Sequence, residues 1–474
     1  MRELIFESAC KLAQLIRSKD VSPVEVVEAY IRRIEEVNPK LNAFVTTTFE
    51  RAMDEARAAE QQTGRISITY PLMGVPVSIK DTIDTSNILT VAGTRLRETF
   101  IPATDAPVVE RLKRAGAIIL GKTNVPECAM DYRSENPVFG ATKNPWDTNR
   151  VPGGSSGGEA AAIASGCSAV GVGSDLGGSI RIPSHFCGIA GLKPTPGRIP
   201  GTGHFPASTG SLALGTSIGP MARRVEDLAL MLKVLAGFDP SDPASVPLPF
   251  QHPPTARAER DERWRRVMVY TDDGISPVTQ ATRQTVKHAA ETLAKLGYRV
   301  EERRPKGLER AHDLWFAWLG ITGAMAAIRL YEGKEELMGT LMQQLKHISE
   351  QQSFTIEQFI SAWVGRDLLR ASVVNEMTEW PILLAPVTAA PAFKQNHEGG
   401  FDIEGREVEY LKAFSYAQTF NLLGLPAVAL PCGRSPEGLP IGVQLVGRPF
   451  EEEDLLVTAA LLEEALGNYE QPPI

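Results

Sequence analysis

Cysteine is scarce in this chain of 474 residues: Cys10, Cys128, Cys167, Cys187 and Cys432 are odd in number and scattered. That pattern offers no disulfide framework and no metal-ligand spacing, and it fits reduced thiols in a cytoplasmic protein; no metal and no cofactor are expected. No run of about 18 apolar residues occurs, which excludes a membrane-spanning helix. The opening stretch MRELIFESACKLAQLIRSKD interrupts its apolar positions with acids and does not read as a secretory signal. A basic surplus is also missing. Lys and Arg number 49 against 57 Asp and Glu, a net charge of −8, which argues against a nucleic-acid partner and does not exclude small anionic substrates. What is present is ordinary globular composition, 43% hydrophobic and 22% charged, with enough chain for a large core. A homodimer is compatible with this composition.

Residues 8–60 read as helices, and Ser22-Pro23 ahead of VEVVEAYIRRIEEVN is an N-cap with proline at the first helical position. MGVPVSIK then reads as a short strand ending at Lys80. Residues 106–115 read as a helix stopped by Gly116, and AIILG as the next strand. Strand, helix, strand is the signature of a parallel α/β sheet. GEAAAIASG reads as a small-residue helix and SAVGVGSD as a strand. The proline-rich stretch 240–254 reads as an extended connector. RRVMVY, a helix over 277–295 and YRVEE repeat the strand–helix–strand pattern. Residues 308–380 read as helical, with Trp315, Phe316, Trp318, Phe359 and Trp363 as core more than pocket. WPILLAPVTAAP and LPAVALPCG read as buried strands.

Three readings compete for chemistry. GGSSG at 153–157 matches a nucleophile elbow, but that turn needs an apolar strand before it, and NPWDTNRVP is polar and proline-broken. A phosphate loop fails because no lysine sits at the required spacing. The third combines Ser179, Ser155 and Lys80. Gly177 and Gly178, lacking side chains, can turn their N–H groups toward one point, and with the Ser179 amide they would hold an oxyanion; one such donor is worth about 3 kcal/mol. G-G-S also occurs in ordinary turns. A lysine ending a strand is usually solvated, but enclosed among small residues it loses charge and becomes a base. It can then deprotonate Ser179 directly or through a hydroxyl, the part Ser155 offers. Asp175 and Arg181 flank the loop and read as charge-assisted scaffold. Ser156 reads as a supporting hydroxyl. His185, six residues after Ser179, reads as structural or as a pocket residue.

The runs PGGSSGGEAAAIASG, GVGSDLGGSIRIP and FCGIAGLKPT closely resemble the amidase signature family, as do GVPVSIKD, GKTNVPE, NPWD, GPMARRVEDLALML and GLPIGVQLVGRPFEE. Together they span about residues 5–465. The resemblance implies an α/β fold in a single large domain over 1–474, its central mixed many-stranded sheet covered by helices on both sides. The core would occupy about 60–235 and 380–465, with a more variable helical pocket wall over about 308–380. It implies hydrolysis of amide C–N bonds through an acyl-enzyme on Ser179, with Ser155 bridging to Lys80 and a cis peptide bond between Gly154 and Ser155. Oxyanion donors would be the amides of Leu176, Gly177, Gly178 and Ser179, and similarity to fatty acid amide hydrolase adds the backbone of Ala129.

Within this resemblance two functions separate. A stand-alone hydrolase of apolar or aryl amides, with esters and carbamates (urethanes) sharing its carbonyl chemistry, is the leading expectation. The alternative is the glutamine-hydrolysing amidase component of an aminoacyl-tRNA amidotransferase. That component typically reads DTGGSIRQP where this chain has Leu176 and Ile182 in DLGGSIRIP, and KPTYGRVSRYG where this chain has KPTPGRIPGTGHFP.

Overall fold

Alternation of apolar strands with amphipathic helices produces one mixed sheet. The computed structural model describes residues 4–62, 70–248, 250–251, 262–351, 354–467 and 469–474. In chain order the strands of the large sheet are β1 (Phe44–Thr47), β2 (Pro76–Lys80), β3 (Ile118–Thr123), β4 (Val170–Asp175), β5 (Ala190–Lys193) and β6 (Ser217–Ala222). They continue with β7 (Arg266–Val269), β8 (Arg299–Glu302), β9 (Ile382–Pro386), β10 (Ala427–Arg434) and β11 (Pro440–Val446). Their spatial order is β1-β3-β2-β4-β6-β5-β10-β11-β9-β7-β8. Strands β2, β3, β4, β6 and β11 are buried along their whole length, so they read as continuous apolar or small-residue runs.

Both strand–helix–strand units fold as expected. Strands β2 and β3 are parallel, joined through the helix Pro107–Arg114, with Ile79 beside Lys122 and Lys80 beside Thr123. Strands β7 and β8 are parallel across the helix Gln280–Lys295. The N-terminal helices Ala9–Ser18 and Pro23–Leu41 also form, the second opened by a reciprocal hydrogen-bond pair between Ser22 and Glu25. The helical reading of 8–60 breaks at β1. Phe44, Val45, Thr46 and Thr47 are aromatic or β-branched, and they pair antiparallel with β3 before the helix Phe49–Gln62 begins. Strands β5, β6 and β11 escape a periodicity reading, because buried runs this short lack alternation.

The sheet also takes in β7 and β8, which lie between the two segments expected to hold the core; β7 is parallel to β9, and β8, parallel to β7, forms the edge. Residues 249 and 252–254 of the proline-rich connector lie outside the described residues, and 240–248 run without helix or strand. Of the aromatics over 308–380, Trp318 is fully buried, whereas Phe316, Phe359 and Trp363 are only partly so. No helix among the described residues is long and apolar enough to cross a membrane.

The β1–β3 pairing depends on one glycine. Gly121 lies opposite Thr47 with φ +153°, and a Cβ there would sit 2.1 Å from the Thr46 carbonyl oxygen. Gly121→Ala is therefore expected to lower unfolding free energy by about 1–3 kcal/mol through overpacking of backbone against backbone, measured by urea denaturation.

Candidate active site

Two parallel strands bring the first polar groups together. Ile79 of β2 lies beside Val172 of β4, so the two strands end at the same edge with Lys80 on one and Ser174 on the other. The Lys80 ammonium nitrogen Nζ lies 2.7 Å from Ser155 Oγ and 2.9 Å from Ser174 Oγ. Lys80 is completely buried. Burial lowers its pKa to about 7, against the opposing pull of Asp175 and Glu159. Ser155 precedes the helix Gly157–Ala164, and the Gly154–Ser155 peptide is cis. The next residue, Ser156, accepts the Ser174 N–H at 3.3 Å through its hydroxyl, and its own N–H donates to the Ser179 carbonyl at 3.1 Å. These bonds tie the Ser155 turn to both ends of the Ser179 loop.

The Ser179 loop is organised by a buried ion pair. Arg181 donates to Asp175 through Nε at 3.1 Å and Nη2 at 3.0 Å, with both side chains fully buried. Arg181 also donates to Gln444 at 2.8 Å and Asn421 at 2.6 Å. Asp175 in turn accepts from the backbone of Gly178 at 2.7 Å and Ile180 at 3.0 Å. Burial alone would raise the Asp175 carboxyl. The Arg181 charge and hydrogen bonds, with Lys193 and Asn421, outweigh it and hold the carboxyl well below the usual range.

The amides expected to hold an oxyanion divide. Gly178 departs from the expectation, because its N–H is engaged by Asp175. The candidates that remain are the amides of Leu176, Gly177 and Ser179. Trp315 Nε1 donates to the Leu176 carbonyl at 3.0 Å, and the Tyr132 hydroxyl donates to the Gly177 carbonyl at 2.8 Å. A peptide's C=O and N–H point in opposite directions. Anchoring the Leu176 carbonyl therefore aims the Gly177 N–H away from Trp315, and anchoring the Gly177 carbonyl turns the Gly178 N–H away from Tyr132. Glycine is required at 177, where a Cβ would sit 2.7 Å from the Trp315 ring.

Ser179 lines two adjoining cavities, together with Ala129, Met130 and Leu176. Its hydroxyl has no hydrogen-bond partner among the described residues. One cavity continues along Asp131, Tyr132, Trp315, Leu319 and Leu411. The other contains Ser155, Ser174, His204, Leu212 and Thr216. Trp315 thus belongs to a pocket wall as well as to the core, a sharper role than the core reading gives it. Ala129 has φ +60°, and its N–H donates to the Pro126 carbonyl at 2.9 Å, so only its carbonyl is free to face a substrate. Desolvation raises the carboxyl of the half-buried Asp131, against the Tyr410 hydroxyl that donates to it at 2.9 Å.

His185 sits apart from this centre. Its Nδ1 accepts the Gly442 N–H at 2.6 Å, and burial lowers it to about 4, so it is a neutral structural imidazole. Sequence reasoning misses Ser174, His204 and Glu159. Glu159 is fully buried under the strands, accepting from Ser78 and, at 2.7 Å, from Thr123; burial raises it to about 7. The helical run GEAAAIASG holds this one acid, and a charge among alanines is the signal that flags it. Among the described residues, those able to group as metal ligands are Cys10, Glu226 and Asp227, and the Asp227 carboxylate already accepts the Ala9 and Cys10 N–H groups.

Comparison with known proteins bears on this geometry. The model of the Amidase family matches residues 25–456. The A-type subunit of the glutamyl-tRNA(Gln) amidotransferase of Carboxydothermus hydrogenoformans is 34% identical, with 98% of each chain covered, and several other bacterial relatives carry that name. Human fatty-acid amide hydrolase 2 is 33% identical over 99% of this chain and 91% of its own. The structure of 6-aminohexanoate cyclic dimer hydrolase superposes with a TM-score of 0.84 at 30% identity, covering 99% of both chains.

Removing the guanidinium while leaving Asp175 buried tests the hub. Arg181→Met is expected to lower stability by about 3–5 kcal/mol, seen as a reduced denaturation midpoint.

Proposed function

The chain belongs to the amidase family, and from that premise we propose that it hydrolyses amide C–N bonds through an acyl-enzyme on Ser179. The observation that carries this reading is a buried lysine poised at about 7 and 2.7 Å from a serine hydroxyl, beside a second serine in a cavity. Neutral Lys80 takes the proton of Ser155 as Ser155 takes that of Ser179. Ser179 Oγ attacks the carbonyl, and the amides of Leu176, Gly177 and Ser179 hold the developing oxyanion. Ser155 then returns a proton to the leaving amine, and water hydrolyses the ester on Ser179. Asp175 and Arg181 hold the loop in place without meeting the substrate. All five cysteines are unpaired, which supports a reducing, cytoplasmic setting.

Two substrate readings follow. The cavity lining favours an apolar or aryl amide: Met130, Tyr132, Leu176, Trp315, Leu319 and Leu411 surround Ser179, and no Lys or Arg stands among the described lining residues of either cavity. Free glutamine would bring an α-carboxylate with no cation to meet it, at a desolvation cost. The curated relatives favour the second reading, a glutamine-hydrolysing component of an amidotransferase; by their names it is better supported than the first. Esters and carbamates extend the first reading, since the same attack serves them.

Ser179→Ala and Lys80→Ala should each abolish turnover, and Lys80→Arg should not restore it, because a guanidinium does not give up its proton. For the wild type, Lys80 is the protonated, inactive ammonium below about 7, so kcat/KM should rise with pH through about 7 and then level. A profile flat from pH 5 to 9 removes Lys80 as the base. The substrate readings divide on the purified chain alone: hydrophobic p-nitroanilides turned over far faster than glutamine support the first, and glutamine preferred over every apolar amide, ester and carbamate supports the second.

A further inference from the structure

We infer that His204 is a positioning residue for Lys80, acting through the Ser174 hydroxyl to set the direction of the proton relay. The inference rests on the reading of Lys80 as the base. His204 Nδ1 lies 2.8 Å from the Pro206 carbonyl oxygen, and Nε2 lies 2.8 Å from Ser174 Oγ. A carbonyl only accepts, so the ring proton sits on Nδ1 and Nε2 is left as an acceptor. The imidazole is neutral at working pH, since burial lowers it to about 4 and the nearby charges of Lys80 and Arg97 act in the same direction.

The rest follows by counting donors. Ser174 must give its hydroxyl proton to Nε2, so toward Lys80 its oxygen can only accept. The Lys80 amine, 2.9 Å away, therefore donates one N–H to Ser174. That bond leaves the nitrogen lone pair for the Ser155 hydroxyl at 2.7 Å. The chain then runs one way, from Ser155 to Lys80, Ser174, His204 and the Pro206 carbonyl, where it ends on a group that does not titrate. Without His204 the Ser174 hydroxyl is free to rotate and donate to the same lone pair, blocking Ser155. In the acylation step the proton leaving Ser179 displaces that of Ser155 onto Lys80. The resulting ammonium keeps its bonds to both hydroxyls, and no proton moves beyond Lys80 to His204.

The backbone places His204 for this task. Phe205 N–H donates to the Thr82 carbonyl at 2.7 Å, and Asp84 N–H donates to the Gly203 carbonyl at 2.8 Å. The His204 loop is thus stitched to the segment that leaves β2 just after Lys80. Asp175 and Glu159 are the charges that face Lys80 from the other elements packed around it.

The test reads Ser179 activation without choosing a natural substrate: the rate at which a fluorophosphonate labels Ser179 in the full chain, located by mass spectrometry and followed against pH. His204→Ala is expected to slow labelling on the order of tenfold, a misaligned relay rather than a lost base. Its acidic limb should move to lower pH, because Ser174 no longer polarised by His204 accepts less well from the ammonium. Ser174→Ala should slow labelling similarly, and His204→Ala added to it should slow labelling no further. His204→Gln, which restores an acceptor, should recover most of the rate. Wild-type rate and profile in His204→Ala overturn the inference, as does an equal further loss on the Ser174→Ala background. Should His204→Ala not fold, Ser174→Ala carries the same expectation, and wild-type labelling there is equally fatal. Lys80→Ala labelled at the wild-type rate would instead sink the base reading itself, a separate outcome.

Discussion

The Asp175–Arg181 pair sits where four parts of the chain meet: the end of β4, the helix Arg181–Cys187, Asn421 on the helix Ser415–Leu422, and Gln444 on β11. Two fully buried charges are costly to desolvate, and their attraction offsets that cost only when every remaining donor and acceptor is matched. Here matching is close to complete. Asp175 accepts from backbone, guanidinium and amide, and Gln444 itself donates to the carbonyls of Pro386 and Tyr416. The pair fixes a loop more than it adds stability. By engaging the Gly178 N–H it dictates which way that peptide faces, and so which neighbouring amides remain to meet a substrate.

From that fixed loop the electrostatics of the centre follow. Lys80 is held near neutrality by burial, and the charge of Asp175, joined by that of Glu159 where this acid ionises above about 7, keeps its pKa from falling further. Had Asp175 faced Lys80 without Arg181, its unbalanced charge would favour a permanent ammonium, which cannot act as a base. The arginine therefore serves two ends: it anchors the loop and it shares the carboxylate's field. The hydroxyls around Lys80 supply directionality instead of charge, which suits a site where a full charge would be expensive to bury.

Much of this is legible in sequence because it is local. The β2–helix–β3 unit announces itself by apolar runs and a stopping glycine, and Lys80 stands at the end of one such run. The motif around Ser179 carries its acid, glycines and arginine within seven residues. What stays hidden is long-range. Whether Gly178 donates to an oxyanion or to Asp175 is decided by backbone torsion. His204 sits 124 positions after Lys80 and meets Ser174 only once the 201–206 loop pairs with the segment after β2. Strand β1 reads as helix because its helical flanks dominate the window, and its own residues declare themselves only when β3 offers an edge. Trp315 reads as core because periodicity cannot distinguish a ring facing inward from one facing a cavity beside the core.

Trp315 also joins the two halves of the molecule's task. Lys80 and Ser174 stand on sheet strands and the Ser179 loop follows β4, whereas the helices beyond residue 308 add Trp315 and Leu319 to a cavity wall that Met130 and Tyr132 also form. Such a division lets walls vary while chemistry stays, in line with relatives of different name sharing one fold at about one-third identity. The two are not independent, however. The Trp315 side chain lines the cavity and holds the Leu176 carbonyl with its indole N–H. Because that carbonyl sets the tilt of the Gly177 amide, a change in the wall at this position reaches the amides proposed to hold the oxyanion through one hydrogen bond. Wall and Ser179 loop are thus coupled at Trp315, whereas Leu319 and Leu411 line the same cavity with apolar side chains that have no donor to reach the loop.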